Sequence, residues 1–220
     1  METFIVRLWL PDRPGALGAV ASRIGAVRGD VVGIDILERG AGTAIDELVV
    51  QLPDASVVGL LVAEIGEVDG VDVEHVRPAP DRLDARLDAL DAAAVLVEAT
   101  TTTGLVHELV ARACRVFETE WAAAVNVDDR LLMAAEGSPP PPAWLAAFVA
   151  GSRSSAPVVA GDCGPDDAAW AQLDGTPYAL VLGRKGRPFR ARERRQVNAL
   201  ARIAGLRARE MEGLRLAAPA

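Results

Sequence analysis

The chain has 220 residues, of which 50% are hydrophobic and 25% charged, and its formal net charge is −8. This length allows two small domains or one large one, and the composition is ordinary for a globular protein. No apolar run approaches the ~20 residues of a membrane helix, and the N-terminal residues lack a signal-peptide pattern. The two cysteines, Cys114 and Cys163, form no C-x-x-C pair. We therefore expect a cytoplasmic protein with free thiols and no membrane association.

The first residues read as a strand followed by a helix. Phe4–Leu10 places apolar side chains at every second position, as a strand with one buried face does. The turn Pro11–Gly15 ends this strand, because a proline cannot donate to a strand ladder. Apolar residues then recur at helical spacing, and we expect Gly29 to terminate the helix. Asp12 is a candidate cap for the start of this helix.

Three more strands and a second helix are expected before residue 79. Val31–Leu37 and Ala44–Leu52 are predicted strands, joined by a glycine-rich hairpin at residues 38–43. Val57–Gly66 has the spacing of an amphipathic helix, and a fourth strand covers about Val71–Val76. The order β-α-β-β-α-β predicts a ferredoxin-like α+β domain, with one sheet and two helices on one of its faces.

The first turn and the residues after the first helix carry a family resemblance. The run Asp-Arg-Pro-Gly-Ala-Leu at residues 12–17, then a helix, then Gly-Asp-Val at residues 29–31, closely resembles the ACT domain. The resemblance covers Thr3–Arg77. ACT domains regulate amino-acid metabolism by binding an amino acid, commonly between two copies. The ligand-binding residues that the resemblance implies are Asp12, Arg13, Gly15, Ala16, Leu17, Asp30 and Val31.

The resemblance also implies a role for each part of this site. The residue before the Pro-Gly turn, here Asp12, contacts the ligand's amino group, and the backbone amides of Gly15–Leu17 bind its carboxylate. Free amides beside a helix start suit a small anion or zwitterion. Asp30, with Val31, stands where the family has an Asn that contacts the ligand across the interface, and an ionised Asp accepts but does not donate. Leu10 also departs from some amino-acid-binding members, which are polar there. The alternative is that Asp12 and Asp30 only cap the helix and the turn.

The remaining residues predict a second α+β domain, reached through a linker at Pro78–Asp81. Thr100–Thr103 is a polar break that can cap the helix after it. The expected elements are helices at Asp81–Glu98 and Gly104–Phe117, strands at Trp121–Val127 and Leu131–Ala135, a helix beginning at Pro139–Pro142, a short strand at Pro157–Ala160, paired strands at Trp170–Leu173 and Tyr178–Leu182, and a last helix at Arg192–Leu214.

This order resembles a GAF domain, a sensory fold with a central antiparallel sheet flanked by helices. The resemblance spans about Leu83–Arg209 and rests on the element order, on Tyr178–Gly183, and on Pro188-Phe189 before the last helix. Neither a cyclic-nucleotide signature nor a bilin-binding cysteine occurs. We therefore expect an ACT-like ligand-binding domain at residues 1–78 and a GAF-like sensory and dimerisation domain at residues 79–220, which includes a basic C-terminal helix.

The sequence contains no recognisable catalytic or metal-binding motif. The histidines are His75 and His107, and neither belongs to a zinc pattern. Four aspartates between residues 81 and 91 recur at helical spacing, which favours a solvated helix face. No nucleophile elbow or P-loop occurs. We expect a protein that is not an enzyme, with no catalytic residue, metal or cofactor. A paired-carboxylate enzyme stays open, because such pairs assemble only in the fold.

The C-terminal charge points to a protein partner. Residues 184–220 hold 11 basic and 3 acidic side chains, with apolar residues between the arginines. This pattern favours a helix that docks on an acidic partner or subunit over a nucleic-acid contact.

Together these observations predict a cytoplasmic, allosteric regulatory protein. We expect a homodimer that binds a free amino acid at its ACT-like interface and relays that binding through the GAF-like domain. Two alternatives stay open. One is a homodimeric interaction scaffold with empty pockets, whose basic last helix is the partner surface. The other is a regulatory subunit of an amino-acid metabolic enzyme.

Overall fold

The computed structural model describes residues 1–79 and 85–217, and the chain forms two compact units, Met1–Leu83 and Asp84–Ala220. Each unit combines helices with one antiparallel four-stranded sheet. Half of the predicted linker, residues 80–81, and the predicted start of the third helix at Asp81 lie outside the described residues, and Pro78 belongs to the last strand of the first unit. Within the described part of the chain, no helix combines the length and apolar character that crossing a bilayer requires.

The first unit has the predicted order β-α-β-β-α-β. The elements are β1 (Glu2–Pro11), α1 (Ala16–Ala26), β2 (Asp30–Gly40), β3 (Thr43–Leu52), α2 (Val58–Gly66) and β4 (Asp72–Pro78). A 3₁₀ turn at Ala55–Val57 precedes α2. The sheet runs β2-β3-β1-β4, and every neighbouring pair is antiparallel, so β2 forms one edge.

One face of this sheet packs against both helices. Alternate residues of β1 and β3 point into the core, as the predicted alternation requires. The core contains Phe4, Val6, Leu8, Leu10, Val20, Ile24, Ala44, Leu48, Val50, Leu52, Leu61 and Ile65, all buried. Between Ala44 and Leu48 on the core face lies Asp46, which is also buried.

The start of α1 differs from the prediction. Its N-cap is Gly15, whose φ of 90° is left-handed, and Asp12 lies three residues earlier. The Asp12 N–H instead donates to the carbonyl of Gly42 at 2.9 Å, which ties the Pro-Gly turn to the β2–β3 hairpin. The prediction that Asp12 caps this helix is therefore wrong. A glycine in the turn provides the left-handed backbone that brings the chain into the helix.

The end of α1 also differs from the prediction, because Gly29 is not the left-handed residue. That residue is Arg28, with a φ of 61°. The Gly29 N–H donates to the carbonyl of Ile24 at 2.9 Å and the Arg28 N–H to that of Gly25 at 3.0 Å, which together form a Schellman motif. Gly29 is needed because this position has no room for a side chain. An added Cβ would lie 2.9 Å from Ile24 Cγ2 and 3.0 Å from Leu52 Cδ2.

The second unit places helices on both faces of its sheet. The elements are α3 (Ala85–Glu98), α4 (Thr102–Val116), β5 (Trp121–Asn126), β6 (Leu131–Gly137), α5 (Pro142–Ser152), α6 (Ala156–Ala160), β7 (Ala168–Gln172), β8 (Tyr178–Gly183) and α7 (Ala191–Ala217). The sheet runs β6-β5-β8-β7, again with antiparallel neighbours. One core lies under α3, α4 and α7, and a smaller one lies under α5.

Local sequence explains two features of this unit. Thr101 caps α4, since its hydroxyl accepts from the Gly104 N–H at 3.1 Å, as the polar break predicts. The predicted strand at Pro157–Ala160 is wrong, because these residues belong to α6. Pro157 sits in the first turn, where its fixed φ suits a helix, and Gly161 closes the helix with a φ of 79°.

Arg28 and Gly29, which form the Schellman motif at the end of α1, give a paired test of the fold. Arg28→Gly should raise the free energy of unfolding by about 0.5–1 kcal/mol, because glycine adopts a left-handed φ without a Cβ penalty. Gly29→Ala should lower it, because the new methyl group overlaps Ile24 and Leu52. Urea unfolding of both variants measures the two effects. An Arg28→Gly protein that is less stable than the wild type would contradict this account.

Candidate ligand site at the Pro-Gly turn

The Pro-Gly turn brings most of the predicted site residues to one place. Gly15 and Ala16 lead into α1, and the Ala16 N–H donates to the Arg13 carbonyl at 3.3 Å. Ala16 is buried and Leu17 packs against the edge of the core. The Arg13 side chain is exposed and lies 3.9 Å from Asp69. The turn therefore presents a polar surface on an anchored backbone.

Asp30 and Val31 lie at the opposite end of the same sheet. In the strand register Asp30 faces Gln51 of β3, whereas Gly40 and Pro11 both face Thr43. Eight positions of β3 separate the two ends, which is about 25 Å at the usual rise of a strand. A single chain therefore does not bring Asp30 and Val31 to the Pro-Gly turn.

A buried acid lies near the turn. The side chain of Asp46 is on the core face of β3, between Leu8 of β1 and Ile36 of β2, and it is only 3% exposed. Among the described residues its Oδ1 atom has no hydrogen-bond partner. Burial raises the pKa of Asp46 above its ordinary value of 3.8, while Arg39 lowers this pKa and Asp12 raises it further.

Two other charges at this end of the sheet act on Asp46, and the attraction of Arg39 outweighs the repulsion of Asp12. Arg39 Nε lies 3.8 Å from Asp12 Oδ1, and both side chains are well exposed. Such an ion pair contributes little, because water screens both charges. Within the described ranges, no three His, Cys, Asp or Glu side chains lie together as a metal site would require. The candidate site is thus the Pro-Gly turn with the carboxylate of Asp12, and the buried Asp46 lies nearby.

Sequence reasoning missed Asp46. It treated residues 44–52 as one alternating strand, and an acid in that row was not singled out. The signal was present, because Asp46 occupies a position whose neighbours on the same face, Ala44 and Leu48, are apolar. A charged residue is rarely buried without a partner, so such a position marks a candidate site.

The second unit has a cleft of about 210 Å³ at the turn between β8 and α7. Its two arginines are bonded within the unit. Arg184 donates to the Phe117 carbonyl at 2.7 Å and pairs with Glu193 at 2.6 Å, and Arg187 donates to the Glu118 carbonyl at 2.8 Å. Arg184 thus holds the end of β8 against α7, and both arginines hold this turn against the end of α4. The cleft is lined by Asp166, Asp167, Arg184, Gly186, Arg187 and Pro188.

No family model and no curated protein sequence matches this chain. An uncharacterised protein of known structure from Thermotoga maritima shares 22% identity at a TM-score of 0.29, over 36% of this chain and 98% of its own. A formyltetrahydrofolate deformylase from Pseudomonas putida KT2440 shares 21% identity at a TM-score of 0.29, over 40% of this chain and 36% of its own. An unknown protein from Galdieria sulphuraria shares 12% identity at a TM-score of 0.33, over 83% of this chain and 79% of its own. At these scores the matches carry no conclusion about this chain.

The raised pKa of Asp46 predicts a pH-dependent stability. Because the folded protein holds this proton more tightly than the unfolded chain, protonation of Asp46 stabilises the fold. The stabilisation is complete below pH 3.8 and is lost as the pH rises through the folded pKa. Asp46→Asn removes the titration, so the stability advantage of this variant over the wild type should be largest at neutral pH and shrink on acidification.

Urea unfolding of both proteins between neutral pH and pH 4 measures this difference. Asp72→Asn is the matched control, because it removes one exposed carboxylate from β4 of the same unit. Its stability relative to the wild type should change little over this range. An Asp46→Asn advantage that stays constant or grows as the pH falls would contradict the prediction.

Proposed function

We propose that this chain is a non-catalytic regulatory protein whose first, ACT-like unit binds a free amino acid between two copies of the chain. The observation that carries the proposal is the separation of the predicted site residues. Asp12 and Asp30 lie at opposite ends of one sheet, about 25 Å apart, so they can share a ligand only if a second copy supplies one of them.

The edge strand β2 supports a dimer of this kind. It is 11 residues long, and its apolar side chains Val32 and Ile34 are 49% and 46% exposed. A long apolar edge strand invites pairing with another strand, and proteins usually cover or charge such an edge. A symmetric dimer would cover it with the same strand of the second copy.

Antiparallel pairing of the two β2 strands would also assemble the site. In such a pair the start of each strand lies beside the end of the other. Asp30 of the second copy would then approach Gly40 of the first, and this end of β2 lies beside the turn that carries Asp12. The N–H groups of Gly15 and Leu17 would receive the ligand's carboxylate, since the Ala16 N–H already donates to the Arg13 carbonyl, and the acids would receive its amino group.

We propose that the second unit transmits the effect of ligand binding in the first unit. Its antiparallel sheet, with helices on both faces, supports the resemblance to GAF domains, which are sensory folds. On this proposal the ligand stabilises the dimer and the second unit transmits that change. A regulatory subunit of an amino-acid metabolic enzyme would act through the same site, and it would co-purify with a catalytic chain.

Ligand binding is tested by thermal unfolding with a panel of the standard amino acids. An amino acid that binds only the folded protein stabilises it by mass action, by about 2.7 kcal/mol at 100 times its Kd. Asp12→Asn and Asp30→Asn should each reduce the shift, whereas Asp72→Asn should not. If no amino acid at millimolar concentration raises the melting temperature, the proposed function is wrong.

The dimer is tested by placing a charge on the edge strand. Ile34→Lys should weaken self-association about tenfold or more, because each lysine would face the apolar Ile36 of the second copy and lie diagonally across from the other lysine. It should weaken amino-acid binding in parallel. Leu60→Lys on α2 is the matched control, since Leu60 is 55% exposed in the same unit but lies away from β2. Sedimentation equilibrium measures association. An Ile34→Lys protein that dimerises and binds like the wild type would contradict this geometry.

A further inference from the structure

Helix α3 has a second apolar face, which lies opposite the face that enters the core. Its inner face packs through Ala92 and Leu96, which are 1% and 0% exposed. A helix on the surface of a protein is normally apolar on one face only, so a second apolar face indicates a contact with another molecule. The outer face carries Leu87, Leu90 and Val97, which are 54%, 67% and 57% exposed, and the exposed Ala94.

These four outer residues, which we call the α3 seam, follow a heptad. The steps along the chain are three, four and three residues, which is the a/d spacing of a helix that pairs with another helix. Asp91 and Glu98 lie seven residues apart beside the seam, and both are exposed. Within the part of the chain that the structure describes, neither acid makes a salt bridge. The seam therefore fits a helix that has an apolar row with basic residues beside it.

Helix α7 carries such a surface. Arg195, Arg202 and Arg209 recur every seven residues, and all three are exposed. Leu206 lies on the same side, because it follows Arg202 by four residues and precedes Arg209 by three, and it is 52% exposed. Residues on the other side of this helix, such as Ala204, are buried in the core. Charged rows with a seven-residue period, beside an apolar row, determine which helices pair.

A single chain does not bring these two surfaces face to face. Arg207 of α7 donates to the Ala99 carbonyl at 2.8 Å, so the two helices lie against each other through another side of α7. The α3 seam and the arginine row both point away from the core that the two helices share. The outward row of one helix can therefore meet the outward row of the other only in a second molecule.

The charges favour a second copy of this chain as that molecule, with unlike helices in contact. Residues 87–98 contain three acidic side chains and no basic one, so α3 packed on α3 would bring only acids together. Packing α7 on α7 would likewise bring the three arginines of each copy together. Packing α3 on α7 pairs opposite charges, and a two-fold axis makes this contact twice.

We infer that two copies of the chain associate through their second units, with the α3 seam of each copy packed against Leu206 and the arginine row of the other. Asp91 and Glu98 then face the arginines across the contact. This inference goes beyond the proposed function, because it involves neither the Pro-Gly turn nor β2. It also identifies the acidic partner of the basic last helix, which is α3 of a second copy.

Reversing the charges on each helix and then mixing the two variants tests this pairing. One variant carries Asp91→Arg with Glu98→Arg, and the other carries Arg202→Glu with Arg209→Glu. Each variant alone should self-associate about tenfold or more weakly than the wild type, because like charges meet in both contacts. An equimolar mixture should recover the wild-type affinity, since both contacts between the two variants pair opposite charges. Sedimentation equilibrium of the full-length proteins, without added amino acid, measures both effects.

The control for these variants is Glu67→Arg with Asp72→Arg, which makes the same change in charge at two exposed acids of the first unit. It should associate like the wild type. The inference is overturned if the wild type does not self-associate, if either charge-reversed variant associates as tightly as the wild type, or if the mixture of folded variants does not recover. A loss confined to the α3 variant would indicate α3 packed on α3.

Leu90→Ser and Leu206→Ser test the same contact without a new charge, and they decide the question if a charge-reversed variant fails to fold. Both leucines are exposed, so thermal stability should change little, whereas association should weaken about fivefold. Leu60→Ser on α2, where the leucine is 55% exposed, is the matched control and should associate normally. Unchanged association of Leu90→Ser overturns the inference. Failure of the proposed function is separate, because it is judged by the thermal shift of the wild type with amino acids.

Discussion

The pairing of β3 with strands on both sides is the constraint on which the first unit depends. Because β1 and β2 fix its register, each side chain of β3 is assigned to one face, and a slip by one residue would exchange the faces. Leu48, Val50 and Leu52 each gain about 1.5–3 kcal/mol from burial on the core face. Together these gains outweigh the free-energy cost of burying Asp46 on the same face of β3. Asp46 is therefore buried by its neighbours, although among the described residues no hydrogen bond reaches its Oδ1 atom.

Local patterns in the sequence were enough to predict the first unit's elements, because alternation and helical spacing are properties of neighbouring residues. Features that depend on backbone angles or on distant strands were not predicted. Asp12 is of a type that caps helices, but Gly15 takes that position because the turn is left-handed there. The run Pro157–Ala160 was too short for its period to separate a helix from a strand. Asp46 lies in a predicted strand, and only the fold shows that no donor in the described part of the chain meets its Oδ1 atom.

The basic C-terminal segment shows why charge counts alone do not define a surface. Several of its arginines are buried and bind carbonyl groups of their own unit. Arg194, for example, donates to the carbonyls of Gly164 and Pro165, and Arg207 donates to that of Ala99. A guanidinium group has five donors in a planar fork, so it can join several loops at once. Part of the positive charge that suggested an acidic partner therefore serves internal contacts.

The proposed function couples ligand binding to dimerisation. Antiparallel pairing of β2 would bring Asp30 of one copy toward Asp12 of the other, so an empty dimer would hold two carboxylates at each site. Their mutual repulsion opposes the apolar contact of Val32 and Ile34, and an ammonium ligand removes this opposition. Because such coupling is reciprocal, the ligand strengthens the dimer by the same factor by which the dimer strengthens ligand binding. A surplus of negative charge at the site would thus make the dimer depend on its ligand, as a sensor requires.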